Sequence, residues 1–229
     1  MKNIRISNRK LLMSAILRLV SGIVILGILL FLSGGDMRYW NAWLYIATLF
    51  VSIFLFGAYL YKTDKELLQK RLNTKEKEKE QKAYVILSSI SFLATFCISG
   101  LDYRFGWSDV SLIIVIIALL VFIGGYGLFV ITIMHNRFAS RTVEVQSGQK
   151  VIDTGVYAIV RHPMYIAAII LFISSPAILG SYFAIIPTLF LLAGIVLRIK
   201  NEESVLCVEL DGYTDYMKKV RYRLIPFVW

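Results

Sequence analysis

Apolar residues fall in long unbroken runs rather than in the alternating or narrow helical stripes of a soluble domain. Four of these runs, Leu11 to Leu32, Trp40 to Tyr61, Ala83 to Leu101 and Val110 to Met134, are long enough to cross a hydrocarbon core of roughly 30 Å as helices. Two shorter runs, Met164 to Leu179 and Tyr182 to Leu197, are separated only by Gly180 and Ser181, and each holds one proline, Pro176 and Pro187. They predict a tight helical hairpin that returns the chain to the side it left, whether or not it reaches the far leaflet. The pattern therefore predicts an all-α, polytopic transmembrane fold of about six membrane segments. Its first region, 1–134, holds four spans and a charged loop at 62–82; its second, 135–229, holds a polar loop, the hairpin and a polar tail. No strand–helix alternation occurs, which excludes a Rossmann-type cofactor domain.

Composition sharpens this picture. An apolar share of 58% over 229 residues exceeds what a soluble domain carries. The first run is too long for a secretory signal and has no small-residue cleavage site after it, so it reads as an uncleaved span. Of the 25 basic residues, 22 lie in the N-terminus, in 62–82, in 135–163 and from Arg198 onward, leaving Arg38 and Arg104 for the opposite loops and Arg18 for the first span. By the positive-inside rule both ends, the charged loop and the tail are expected in the cytoplasm. The same rule, with attraction to anionic membrane lipids, accounts for the formal charge of +10 without a nucleic-acid partner.

Aromatic residues at the span ends, Tyr39, Trp40, Trp43, Tyr59, Tyr61, Tyr103 and Trp107, suit interfacial belts. The spans lack ionisable groups at mid-depth, which argues against an ion-coupled carrier. Gly124, Gly125 and Gly127 lie inside the fourth span and are expected to allow close helix packing. The stretch from 62 to 82 alternates Glu and Lys at i,i+4 spacing and reads as a solvated helix or charged linker. Cys97 and Cys207 lie in a span and in the tail, so no disulfide is expected. His135, His162 and Cys207 lack zinc-ligand spacing, and no metal is expected.

Polar chemistry is thereby confined to 135–163 and 198–229, and the hairpin between them forces the two pieces together on one face. Arg161, His162 and Tyr165 must lie near Arg198, Glu202 and Glu203. Pro163 suits the first turn of the following helix, whose N-terminus would favour an anionic group with Arg161 and His162 beside it. Arg198 and Glu202 stand one helical turn apart. Together they could form a surface ion pair, or divide between an anionic and a cationic ligand.

Gly155-Val-Tyr157, Arg161-His162-Pro163-Met164-Tyr165, Arg198 with Glu202-Glu203, Tyr213-Thr-Asp-Tyr216 and Arg223-Leu-Ile-Pro226, in this order and spacing, resemble the isoprenylcysteine carboxyl methyltransferase family over about 135–229. The resemblance implies a membrane methyltransferase in which S-adenosylmethionine sits in a cytoplasmic pocket capped by the tail. A lipophilic or lipidated acceptor would enter from the bilayer. It puts cofactor contacts on Gln149, Lys150, Val151, Ile152, Tyr157, His162, Pro163, Met164, Tyr165 and Glu202, and substrate orientation on Arg198. The family often has Gly about two residues beyond the tyrosine and His at the position of Gln149; here Ile166-Ala167-Ala168 follows Tyr165. A bacterial cytoplasmic membrane is the expected location.

The alternatives are a phospholipid N-methyltransferase, an NADPH-dependent sterol-type reductase, whose tyrosine is usually followed by Gly and an acidic residue, and a non-enzymatic scaffold or transporter. A carboxylate acceptor needs no general base, whereas an amine must first lose a proton. Catalysis is expected to rest on positioning and desolvation.

Overall fold

The computed structural model describes residues 7–72, 79–138, 145 and 148–229. Lys2, Arg5, Arg141 and the middle of the charged stretch, 73–78, lie outside the described residues. Within them the structure is all helical: α1 (Asn8–Gly34), α2 (Trp40–Thr63), α3 (Lys65–Leu72), α4 (Lys79–Phe105), α5 (Leu112–His135), a 3-10 turn (Gly155–Ala158), α6 (Pro163–Ile178), α7 (Ile185–Glu209) and α8 (Tyr213–Lys219). Four helical segments, Asn8–Gly34, Trp40–Thr63, Ile86–Phe105 and Leu112–His135, are long and apolar enough to cross a membrane. Their many exposed Leu, Ile, Val and Phe side chains are what lipid-facing helices present.

Two ends of the bundle can be told apart by their packing. At the proximal end, Leu11 of α1, Leu60 of α2, Leu67 and Leu68 of α3 and Ile133 of α5 form one buried cluster. The segment after α2 is thus more than a solvated linker, because α3 turns its two leucines inward while the Glu66–Lys70 pair stays outside at 3.3 Å. Arg137, beyond α5, pairs with Asp64 at the start of α3.

The distal end is where the chain turns after α1, after α4 and between α6 and α7. The Tyr39 hydroxyl donates to the Leu179 carbonyl, and the Asn41 amide donates to the Ile178 carbonyl at 2.8 Å. Buried Asp102 accepts from the Ser108 N–H and hydroxyl, both at 2.7 Å, and from the Ser181 hydroxyl. The hairpin tip therefore reaches the level of the α1–α2 and α4–α5 connections.

Tyr39 is fully buried and stacks on Tyr103 at 4.2 Å between ring centroids. These two aromatics are not interfacial anchors: they tie α1, α4 and the hairpin tip together, whereas Trp40, Trp43 and Trp107 are about half exposed. Of the three glycines in α5, only Gly125 serves close packing, since a Cβ there would lie 2.6 Å from Ile170 of α6, while Gly124 and Gly127 face open space. The hairpin legs are splayed. α6 packs chiefly on α5 and α7 chiefly on α4, so the legs share few contacts and leave room at their proximal ends.

Candidate active site

That room is an open cavity of about 780 Å³ including its mouth, walled by the segment 149–152, Tyr157, the start of α6, the end of α7 and the helix α8. Gln149, Lys150, Val151, Ile152, Tyr157, His162, Pro163, Met164, Tyr165 and Glu202 all line it. Arg198 does not. It stands one side chain behind the wall, its Nε donating to the Tyr165 hydroxyl at 2.8 Å, and that hydroxyl donates in turn to Glu202 at 2.6 Å. Tyr165 is thus the polar tie between the two legs, and the Arg198–Glu202 turn faces it rather than bulk water.

The wall also includes Arg161, expected beside an anion, and residues with no role assigned from sequence: Asn136, Phe138, Leu206, Leu210, Tyr213 and Tyr216. Tyr213 and Tyr216 come from α8, whose apolar face, with Leu210 and Val220, packs on Val145, Val151 and Leu206. This packing holds the 149–152 segment in place, and Lys219 adds an ion pair to Asp153 at 2.6 Å. The Tyr216 hydroxyl donates to the Tyr157 carbonyl at 2.7 Å. The Tyr213 hydroxyl is buried and has no hydrogen-bond partner among the described residues. Burial, then the charges of Glu203 and Glu202, pushes its phenol well up, so it is a protonated donor at neutral pH. A buried hydroxyl without a partner costs about 1–3 kcal/mol, and one on a cavity wall has a ligand as its natural partner.

Part of the wall belongs to a buried ionic knot. Glu203 Oε1 accepts from Arg161 Nε at 2.7 Å and lies 3.1 Å from His162 Nε2, while Oε2 accepts from Arg223 Nε at 2.7 Å. Arg161 also donates through Nη1 to the carbonyls of Val220 and Arg221, both at 2.8 Å. Backbone bonds from Arg161 N–H to the Tyr222 carbonyl and from His162 N–H to the Arg223 carbonyl clip the tail to the approach of α6. Burial would raise the Glu203 carboxyl, but its hydrogen bonds from His162, Arg161 and Arg223 win and hold it at about 2.

The anion that Arg161 and His162 flank is therefore an internal one, Glu203. The N-terminus of α6 is also less open than expected: Pro163 has no N–H, and those of Tyr165 and Ile166 already point to the His162 carbonyl. Burial pushes the Tyr157 phenol up to about 12. The turn that carries Tyr157 begins at Gly155, whose φ of +58° and closeness to the His135 ring leave no space for a Cβ.

Residues 114–208 match the model of the isoprenylcysteine carboxyl methyltransferase family. The match starts inside α5 and stops before α8, so the tail motifs lie beyond it. No curated protein matches the chain. Among solved structures, the chain resembles one described as the eukaryotic intramembrane Ras methyltransferase ICMT (isoprenylcysteine carboxyl methyltransferase) without a monobody. The identity is 23%, the TM-score is 0.50, and the alignment covers 89% of this chain and 74% of that one. At this identity the likeness is one of fold.

Proposed function

From the match of residues 114–208 to the isoprenylcysteine carboxyl methyltransferase family, we propose that the chain is an integral membrane methyltransferase that moves a methyl group from S-adenosylmethionine to the carboxylate of a lipophilic, isoprenylcysteine-like acceptor. The observation that carries this reading is the cavity. It joins one carboxylate (Glu202), a donor without a partner among the described residues (Tyr213) and an aromatic and aliphatic lining (Tyr157, Phe138, Val151, Leu206), the mix of few polar groups and apolar walls that small-molecule sites present.

The residues present fit the donor. Glu202 supplies the negative charge that a cationic sulfonium or a ribose hydroxyl takes, Tyr213 supplies a hydrogen bond, and the apolar wall with its tyrosine rings suits a flat base. Gln149 to Ile152 close the side held by α8, and His162 to Tyr165 close the floor. When bound, the sulfonium supplies an already activated methyl group.

The protein's own contribution is placement. Arg198, held by Tyr165, orients the acceptor carboxylate, and a carboxylate is nucleophilic without losing a proton, so no general base is required. The tail excludes water, which strengthens each of these electrostatic contacts. The cavity opens on the cytoplasmic side, since the basic residues concentrate at the proximal end, and the last two helices complete six membrane segments. A water-soluble donor would then enter from the cytoplasm and the acceptor from the bilayer.

The test is titration calorimetry of the full chain in nanodiscs with S-adenosylhomocysteine. Micromolar binding that Glu202→Ala weakens at least tenfold, about 1.4 kcal/mol, is expected. Failure to bind, or binding of NADPH in its place, would overturn the reading. Profiling of carboxylate against amine acceptors would separate the proposed reaction from phospholipid N-methylation.

A further inference from the structure

The last residues of the chain form a closed loop whose surface chemistry neither the cavity nor the ionic knot explains. Ile225, Pro226, Phe227 and Val228 are exposed, Phe227 at 89% and Val228 at 76%. Phe227 sits at φ +66°, a left-handed conformation that favours glycine, so a bulky aromatic is displayed there against local backbone preference. Its ring leans on Tyr222 at 5.3 Å.

Part of the loop's backbone is paired from within. The Trp229 carbonyl accepts from the N–H groups of Arg223, Leu224 and Ile225 at 2.9–3.1 Å, and the Ile225 carbonyl accepts from those of Val228 and Trp229 at 3.1 Å. These bonds lessen the number of polar groups left for water, and the headgroup region, which holds water, can serve the rest.

The loop's surroundings indicate which medium. Buried Leu224, with Trp229 against it, packs into the cluster of Tyr165, Leu191, Ile195 and Ile199 on α6 and α7. The exposed tip therefore adjoins the hairpin helices, where Leu197 of α7 is itself exposed. The preceding segment is basic, with Lys218, Lys219, Arg221 and Arg223. Apolar tip, interfacial tryptophan and basic collar together make the pattern of a segment seated in the headgroup region of an anionic leaflet.

We propose that the loop from Leu224 to Trp229 inserts its Ile225–Val228 tip into the anionic leaflet at the proximal end of the bundle. This seating keeps Arg223 on Glu203 and so keeps the tail closed over the cavity. The membrane is then a structural partner of the site, separate from any role as a source of acceptor. The proposal does not depend on the methyl-transfer reading, because it can be read with neither donor nor acceptor present.

The experiment places an environment-sensitive nitrobenzoxadiazole label on Phe227→Cys in a Cys97→Ala, Cys207→Ser chain. The labelled chain is reconstituted in nanodiscs containing phosphatidylglycerol, with a label on exposed Thr214→Cys as the aqueous control. Seating predicts blue-shifted emission at 227, quenching by lipids spin-labelled near the headgroup, and several-fold weaker quenching by iodide than at 214. Iodide quenching equal to that at 214 would overturn it. So would a label reached by neither quencher, which would mean that protein, such as a second copy of the chain, covers the tip. Coupling to the latch is read by trypsin: Phe227→Asp should speed cleavage at Arg221 and Arg223 several-fold in these nanodiscs, and Phe227→Leu should not. Equal cleavage of Phe227→Asp and wild type would overturn the coupling.

Discussion

Replacing Glu203 by glutamine tests whether the ionic knot holds the tail. Glu203 is 4% exposed and its carboxyl is held at about 2, against an ordinary 4.5. At about 1.4 kcal/mol for each pH unit, that difference corresponds to about 3 kcal/mol in favour of the ionised form. Arg223 is 30% exposed on its side chain, so water screens its share and the working figure falls to about 2 kcal/mol. Glutamine keeps the shape but leaves Arg161 buried without its counter-charge, and breaking a buried pair typically costs about 3–5 kcal/mol. A loss of about 2–4 kcal/mol is expected, or roughly 5–15 °C in Tm for a chain of this size. The carboxyl is depressed in the folded state, so its contribution is fully present above pH 4.5 and is lost as pH falls towards about 2. Thermal unfolding in detergent at pH 7 and across the acid range is the assay. Glu203→Gln should melt lower at pH 7 and lack this part of the acid slope. Equal Tm at pH 7 with an unchanged acid slope would refute the reasoning.

Tyr165→Phe removes the hydroxyl shared by Arg198 and Glu202; hydrogen bonds to charged groups are worth about 1.5–3 kcal/mol, so turnover should fall roughly 10–100-fold in a methyl-transfer assay while the helical circular dichroism is kept. Arg198→Ala should lower turnover with little change in S-adenosylhomocysteine affinity, and full turnover in a folded Arg198→Ala protein would remove its orienting role. Tyr213→Phe deletes a hydroxyl that is buried without a partner, so Tm should hold or rise slightly, while S-adenosylhomocysteine affinity drops roughly 2–10-fold by calorimetry. Gly155→Ala meets both a φ of +58° and a His135 ring atom 2.4 Å from the new Cβ, and should cost about 2–4 kcal/mol from backbone strain and overpacking, read as a lower Tm.

Much of this arrangement was legible in the chain because topology is a strong constraint. Long apolar runs predict spans, and a two-residue gap between two such runs predicts a hairpin. A hairpin forces the residues before and after it onto one face, which is why Arg161, His162 and Tyr165 could be placed near Arg198, Glu202 and Glu203 without coordinates. What stayed hidden was lateral packing. Hydropathy does not say that Tyr39 turns inward to stack on Tyr103, since an aromatic at a span end looks the same whether it faces lipid or a neighbouring helix. The approach of α1 to α4 at Gly100, where a Cβ would collide with Ser33, leaves no periodic trace. Leu67 and Leu68 were masked by the charges around them. Tyr213 lay within a motif, yet only the packing of α8 shows its hydroxyl on the cavity wall.

The same topology explains why a splayed hairpin can carry a well-defined site. Two legs that pack on different helices, α6 on α5 and α7 on α4, are free to shift relative to each other unless something fixes both ends. At the distal end Tyr39, Asn41 and Asp102 fix the turn through side chains from α2, α4 and the residue before α2. At the proximal end the Tyr165–Glu202 bond crosses the gap directly, and the Glu203 knot crosses it again through Arg161, His162 and the tail. Adjacent residues of α7 thus divide the work. Glu202 turns to the cavity and Glu203 to the tail, about 100° apart around the helix axis. Closure of the tail over the cavity and the position of the carboxylate inside it are consequently set by one rotation of α7, so a change that turns this helix must alter both together.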